Sequence, residues 1–450
     1  MDQGSFGTTG TSGTTALLTD QYELTMLTAA LRSGTAERRA VFEVFARSLP
    51  AGRRYGVVAG TGRLLDAVEA FRFDADALAF LRERDVVDEP TAEWLAGFHF
   101  TGDIRGYAEG DCYFPNSPIL TVEGTFAEAV LLETLILSIL NHDCAIASAA
   151  SRMATAAGGR PMIEMGSRRT HEMAAVAAAR AAYICGFTTT SNLEAGRRYG
   201  VPTAGTAAHA FTLLHDSERH AFRAQLDSLG DGTTLLVDTY DVERAVRTAV
   251  ELAGPSLGAV RIDSGDLGVM ARRVRAQLDD LGAKSTRIMV TGDLDEYGIA
   301  ALAAAPVDGY GVGTSLVTGS GAPTASLVYK LVARADAPGA DAPMRPVSKR
   351  STGKPSRGGR KSAVRRLDGH GIACREVVTT GEPQPGGRDR LLQIPLVAKG
   401  EVVGREPLSA ARDRHAAAVA ELPPTALQLS RGEPALPTEF VDGGPRRVTG

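Results

Sequence analysis

Four strand-like runs, TTLLVDTY, GAVRID, RIMVTG and VDGYGVG, begin at positions 233, 258, 287 and 307, with helix-like stretches such as DVERAVRTAVELA and GVMARRVRAQLDDLG between them. The intervals of 25, 29 and 20 residues suit a strand, a crossover helix and a parallel strand. Each run ends in polar or glycine residues (TYD, DSGD, TGD, GVGT). In parallel α/β folds the loops after the strands build the site, because the following helices point their N-termini there. Two earlier runs, PMIEMG at 161–166 and AAYICGF at 181–187, read as further strands.

An open doubly wound sheet gives the same periodicity but gathers its chemistry at one switch point. Here chemistry-bearing residues come from at least four successive strand ends, which favours a barrel. The expected fold class is α/β: an irregular (β/α) barrel with a second β-rich α+β domain formed by the N- and C-terminal segments. Residues 1–15, rich in Gly, Ser and Thr, read as a disordered N-terminus. Residues 16–125 read as the first part of the β-rich domain, 126–340 as the barrel, 341–436 as a basic loop and the completion of the β-rich domain, and 437–450 as a flexible tail. Near the start, Asp20 is placed to cap a helix with Glu23 three positions on. The long helix after Thr125 is expected to break or kink near Asn141–Asp143.

With 450 residues, 44% of them hydrophobic, the chain can bury full cores without metals or disulfides. Its formal charge of -4 supplies no global basic field, so no nucleic-acid partner is expected. The apolar run at 129–140 is interrupted by Glu133 and falls short of the roughly 20 residues that cross a bilayer, so no membrane span is expected. Cys112, Cys144, Cys185 and Cys374 are far apart and form no C-x-x-C pair, which reads as reduced thiols in a cytoplasmic enzyme.

Four clusters carry chemistry. In GTAAHAF, His209 follows Gly205 and Thr206; such a histidine can be a general base, a metal ligand, a nucleophile toward phosphorus or an ordinary loop residue. His220 and His415 read as surface residues. In RIDSGDLG, Asp263 and Asp266 flank Ser264 at a strand end and suit sugar hydroxyls or hydrated magnesium on pyrophosphate, with a helix cap as the alternative for Asp266. In VTGDLDEYG and YGVGTSLVTG, Gly311 and Gly313 allow close backbone approach to an anion, and Thr314 and Ser315 offer hydroxyls and amides at a helix start. In SKRSTGKPSRGGRK, three of the six lysines of the chain (Lys349, Lys354, Lys361) lie within thirteen residues, as a phosphate clamp, an RNA contact or a solvated linker. GSRRTHE adds Arg168 and Arg169 at another strand end. The absence of G-x-G-x-x-G and of G-x-x-x-x-G-K-[ST] argues against a Rossmann nucleotide site or a P-loop. Together these loops suit a substrate with phosphates on both sides of a sugar, such as ATP or phosphoribosyl pyrophosphate.

Eight segments in order make the chain resemble the nicotinate phosphoribosyltransferase family: TDQYELTM at 19–26, LLETLILSILNHDCAIASAASRM, MGSRRTHE at 165–172, GFTTTSNLEAGRRYGVPTAGTAAHAF at 186–211, VDTYD at 237–241, RIDSGDLG at 261–268, VTGDLDE at 290–296 and YGVGTSLVT at 310–318. The resemblance implies a homodimer with active sites at the subunit interface. It implies transfer of phosphoribosyl from phosphoribosyl pyrophosphate to nicotinate in NAD salvage, coupled to ATP, with Mg2+. It further implies that His209 is the phosphorylated histidine, that Asp20 and Tyr22 approach the nicotinate site of the neighbouring subunit, and that Arg168 lies near the substrate carboxylate or phosphates. By the same resemblance Asp263 and Asp266 face ribose and magnesium pyrophosphate, Thr206, Ser264 and Gly292 border the substrate, Gly313 and Thr314 hold the 5'-phosphate, and Lys349, Lys354 or Lys361 contacts phosphate. Rival readings are a nicotinamide or quinolinate phosphoribosyltransferase, a flavin-dependent phosphate-binding barrel oxidoreductase, and an RNA-binding scaffold.

Overall fold

The computed structural model describes residues 13–349, 356–383 and 385–441, and the chain divides into two compact units. One is Ala145–Pro323 with Leu427–Arg431. It is built on a curled, wholly parallel sheet of six short strands: β1 (Met162–Glu164), β2 (Thr189–Thr190), β3 (Thr234–Leu236), β4 (Ala259–Ile262), β5 (Arg287–Val290) and β6 (Gly309–Val312). The order across the sheet is β2-β1-β6-β5-β4-β3, so the curl is a half-barrel whose edge strands do not pair with each other.

Helices follow the strands because the sequence supplies apolar stripes and caps. Val242–Ala253 buries Ala245, Val246, Ala249 and Val250 on one face, and Asp241 caps it through Arg244 N. Ser217 and Asn192 cap Glu218–Leu229 and Leu193–Tyr199 in the same way. The 181–187 run is not a strand: it is the last turn of the helix Glu172–Ile184, with the strand delayed to Thr189. That helix buries Ala175 through Ala182 on all sides, and an all-round apolar helix end has no amphipathic period to separate it from a buried strand.

The other unit joins residues 13–144 to 324–426 and 432–441. Its seven-stranded antiparallel sheet runs 344–346, 327–338, 38–46, 120–125, 103–107, 393–398, 401–402. Leu327–Pro338 therefore lies in this sheet rather than in the parallel one. Arg38–Ala46 is buried from Ala40 onward and is flanked by Leu327–Pro338 and Leu120–Thr125. A second sheet, 389–391, 361–367, 373–380, 438–441, lies in the same unit. Its core holds the fully buried Arg365, which donates to Asp111 at 3.0 Å, to Glu376 at 2.6 Å and to the Cys112 carbonyl at 2.6 Å. The pairing offsets the cost of burying these charges and ties the 98–125 segment to the C-terminal strands.

Several expectations are corrected. The helix Glu133–Ala157 is unbroken at 141–143: Asn141 spends its amide on Leu327 N and O, and Asp143 pairs with Arg63 and His142. An 18-residue window of the Phe126–Ala157 stretch, mean hydropathy 1.5, is long and apolar enough by composition to cross a membrane. It serves as a core helix, with 61% of the window buried and Leu135 and Ile136 sealed inside. Asp20 occupies the N-cap position of Gln21–Arg32 without a side-chain cap bond; Glu23 instead reaches Thr134, accepting from its amide at 2.9 Å and its hydroxyl at 2.5 Å. His415 is buried against the Gly110 carbonyl, and burial pulls its imidazole down to about 4. Of the tail expected from 437, Thr438–Val441 form a strand paired with Ala373–Thr380; residues 442–450 and 1–12 lie outside the described residues.

Candidate active site

The segments after β1, β2, β4, β5 and β6 converge on a cavity of about 490 Å3 bordered by Arg168, Thr206, Arg261, Asp263, Gly292 and Gly313, among others. His209 opens the short helix His209–Leu214 beside it. Its Nδ1 lies 3.2 Å from Thr239 Oγ1, and its Nε2 lies 3.9 Å from Asp238 Oδ1 and 3.9 Å from Asp263 Oδ2. The imidazole is 41% exposed while the Asp238 side chain is 2% exposed.

Asp238 organises this corner. Its Oδ2 accepts from Asp263 N at 3.0 Å and from Ser264 Oγ at 2.6 Å. Its Oδ1 is buried with no hydrogen-bond partner among the described residues. Asp263 turns its own Oδ1 to the Thr291 hydroxyl. Two carboxylates therefore face one imidazole, an arrangement that can stabilise a cationic or phosphorylated ring and can present hard oxygen ligands.

Arg261, on β4, reaches the same cavity. One Nη donates to Thr206 Oγ1 at 2.6 Å, and its Nε is buried without a partner among the described residues. Burial draws this guanidinium below its ordinary value, with Asp263 and Asp238 opposing that and Arg168 adding to it. A half-buried, incompletely paired guanidinium is a ready receptor for a planar anion.

Gly292 is required by geometry. Gly292 has φ +109°, and a Cβ there would stand 2.5 Å from the Asp263 carbonyl oxygen. Any side chain at 292 would displace the Asp263 loop. Gly313 and Thr314 border the cavity at the end of β6.

The structure brings His209, Asp263, Ser264, Thr206, Arg168, Gly292, Gly313 and Thr314 together in this unit. Asp266 takes the cap alternative: its Oδ1 accepts from Val269 N at 3.0 Å at the start of Leu267–Asp280. Asp20, Tyr22 and Lys349 belong to the other unit. There, burial and the nearby Glu133 push the Tyr22 phenol up to about 12. The basic loop is partly consumed internally: Lys361 pairs with buried Glu43 at 2.8 Å, Arg360 pairs with Glu123 and Glu382, and Arg357 stacks on Phe440. Lys349 is exposed, and Lys354 lies outside the described residues.

Asp238 and Arg261 were not singled out from the sequence, although both sit in segments that were. Their signal was an acid and a base at strand ends; burial and unpaired atoms, which sequence does not display, make them candidates. Among the described residues no three His, Cys, Asp or Glu side chains gather as a metal cluster.

Comparison with known proteins agrees with this architecture. The family model for the nicotinate phosphoribosyltransferase N-terminal domain matches residues 17–141. The chain is 60% identical over 440 residues to the nicotinate phosphoribosyltransferase pncB1 of Mycobacterium tuberculosis, covering 94% of this chain and 95% of that one. It is 42% identical over 424 residues to pncB2 of the same organism, covering 91% and 88%. The crystal structure of human nicotinic acid phosphoribosyltransferase superposes with a TM-score of 0.79 at 25% identity, covering 94% of this chain and 97% of that one. With the parallel half-barrel, the composite antiparallel sheet and near-full-length identity of this size in agreement, the chain belongs to the nicotinate phosphoribosyltransferase family.

Proposed function

We propose that this chain transfers the phosphoribosyl group from phosphoribosyl pyrophosphate to nicotinate, releasing pyrophosphate and nicotinate mononucleotide, with ATP consumed at His209. The observation that carries this reading is an incompletely satisfied guanidinium, Arg261, bordering the cavity together with Asp263, whose carboxylate also stands, with that of Asp238, 3.9 Å from the His209 imidazole.

As the C1–O bond to pyrophosphate breaks, positive charge develops at C1 of the ribose, the pyridine nitrogen forms the new C1–N bond there, and pyrophosphate leaves with the bonding electrons. No protein nucleophile is needed, so the work of the protein is orientation and charge placement. Arg261 holds the nicotinate carboxylate, which suits an acid better than an amide because its fork matches two acceptor oxygens. Gly313 and Thr314 receive the 5'-phosphate, and Arg168 supplies charge at the opposite rim. Asp263 faces the ribose hydroxyls, and Asp238 fixes the His209 ring. The buried, unpaired Asp238 Oδ1 and the neighbouring Asp263 carboxylate fit Mg2+, which takes one or two carboxylates plus substrate phosphates. When bound, Mg2+ neutralises charge on the departing pyrophosphate. Phosphorylated His209 favours the pyrophosphate-competent state rather than entering the ribosyl transfer.

The working form is a homodimer in which Asp20 and Tyr22 of one copy approach the nicotinate site of the other. Cys112, Cys144 and Cys185 are buried and Cys374 is exposed, all as thiols, in keeping with a reducing, cytoplasmic setting.

The test is pyrophosphate release with nicotinate, nicotinamide and quinolinate in turn, each with phosphoribosyl pyrophosphate and magnesium, with and without ATP. Release with nicotinate that rises with ATP is expected. His209→Ala is expected to keep ATP-independent transfer and lose the stimulation; silence with nicotinate sinks the substrate, and full coupling in His209→Ala sinks the histidine.

A further inference from the structure

Strand β1 ends on Glu164, a carboxylate with no part in the chemistry described above. Side chains alternate between the two faces of a strand; Ile163 and Met165 border the space inside the curl, so Glu164 is turned to the opposite face, where it is fully buried. Its Oε1 accepts from Gly166 N and its Oε2 from the Thr190 hydroxyl at the end of β2. Burial pushes this carboxyl up from its ordinary value, and the two hydrogen bonds oppose the rise. Both partners are neutral, and a buried carboxylate held by neutral donors is costly to fold. Its effect is on the position of the loops it joins.

Both of those loops line the reaction cavity. Gly166 opens a turn in which Arg169 N donates to the Gly166 carbonyl at 2.8 Å. Ser167, Arg168 and Arg169 of this turn border the cavity, as does Ser191 beyond Thr190. The hydrogen bonds between the loops have a fixed sense: Asn192 N donates to Thr190 Oγ1 at 3.0 Å, Thr190 Oγ1 donates to Glu164, and Gly166 N donates to Glu164 from the other side. Only a side chain that accepts on both atoms completes this chain. A glutamine accepts on one, so either Gly166 N or the Thr190 hydroxyl loses its partner. Two further bonds join the same loops, Ser191 N to the Glu164 carbonyl at 2.8 Å and Asn192 Nδ2 to Ser167 Oγ at 3.1 Å. The turn also lies directly against the loop after β6: a Cβ at Gly166 would stand 2.2 Å from Val317 Cγ1 and 3.2 Å from the Gly313 carbonyl oxygen.

We infer that Glu164 is the positioning residue of the Arg168 turn and sets the affinity of the cavity for the phosphate-bearing substrate without touching it. The inference rests on the phosphate role proposed for Arg168. Binding groups act only as precisely as the residues behind them hold them. With Gly166 N or Thr190 released, the turn is no longer tied to β2, and Arg168 loses its fixed distance from Gly313 and Thr314. Arg261 stands on β4, outside this hydrogen-bonded chain, so the hold on nicotinate is left in place.

The experiment is measurement of KM for both substrates in a set of variants. Glu164→Gln and, separately, Thr190→Val are each expected to raise the KM for phosphoribosyl pyrophosphate about 10-fold, the effect of one lost hydrogen bond to a charged group. The nicotinate KM is expected to stay within about 2-fold of the parent, because the two contacts are independent. Thr190→Ser keeps the hydroxyl and is expected to restore the parent KM. Arg168→Ala is expected to raise the same KM, and adding Glu164→Gln to it to change that value by less than about 2-fold, since the two residues act through one contact. Thr190→Val carries the test if thermal unfolding shows that Glu164→Gln does not fold. A rise shared equally by both substrates, a full rise that persists in the Arg168→Ala background, or a Thr190→Ser as impaired as Thr190→Val overturns the positioning role. The parent KM in Arg168→Ala would remove the phosphate reading of Arg168 and this inference with it. A raised KM in Arg168→Ala beside parent values in Glu164→Gln and Thr190→Val would remove this inference alone.

Discussion

His209 Nε2 stands 3.9 Å from Asp238 Oδ1, a buried carboxylate oxygen with no hydrogen-bond partner among the described residues. The ring and the acid come from different loops, yet the acid is anchored from behind by Asp263 N and Ser264 Oγ, so the ring is the free member of the pair. Asp238→Asn keeps the shape and removes the charge. ATP-stimulated pyrophosphate release is expected to fall on the order of 100-fold, while ATP-independent release falls far less. Acid-labile labelling of the protein by γ-labelled ATP should fall in parallel, and undiminished labelling would remove Asp238 from the role.

Arg261 offers a different readout. Arg261→Met preserves the stem and removes the fork, so the nicotinate KM is expected to rise on the order of 10- to 100-fold, the worth of one charge-assisted hydrogen-bonded contact. The KM for phosphoribosyl pyrophosphate should move little. Equal losses for both substrates would mean that the guanidinium holds the loop rather than the acid.

Gly292→Ala should be disproportionately damaging for one methyl group. The residue has φ +109° and its Cβ would meet the Asp263 carbonyl at 2.5 Å. A loss of about 1–3 kcal/mol in stability is expected, together with loss of activity through the displaced Asp263 loop. A thermal unfolding curve and a rate that both match the parent would count against this geometry.

The other unit holds two buried groups with opposite acid responses. Burial raises the Glu23 carboxyl to about 7 from 4.5, so between those values the folded chain binds more protons than the unfolded one, and this contribution to stability falls as pH rises. Burial lowers His415 to about 4 from 6.5, so the unfolded chain binds more protons in that window and stability rises with pH. At 1.36 kcal/mol per unit each is worth about 3 kcal/mol at most. Glu23→Gln should therefore gain Tm relative to the parent progressively from pH 4.5 to 7, and His415→Gln should gain toward pH 4. Difference curves that are flat across this range would reject both assignments.

Much of the parallel unit was legible because strand, helix and turn each leave a period: the four runs from 233 to 313 all contain strands, and Asp263, Gly292 and Gly313 sit at their ends. The composite sheet was legible as an economy, since the late strands were too few to stand alone. What escaped was set by neighbours distant in sequence. The 181–187 run is apolar and mostly buried whether helix or strand, Lys361 reads as a loop cation until Glu43 is seen against it, and His415 reads as surface until the Gly110 carbonyl covers it. Asp238 and Arg261 were visible as letters, but their importance rests on an oxygen and a nitrogen that nothing else satisfies.

Arg38 pairs with Pro338, three hundred residues downstream. During synthesis at about 5–20 residues per second, the 38–46 strand waits for about 15 to 60 seconds with one edge open, its apolar side chains and unpaired amides available to any other nascent chain. The contiguous stretch 145–323 has all its parallel strand partners within itself and can close during that interval. The vulnerable moment for this protein is thus on the ribosome: a break in translation just after residue 323 releases a chain whose parallel strands are all made while the 38–46 strand still lacks its second neighbour, a product suited to aggregation rather than to slow recovery.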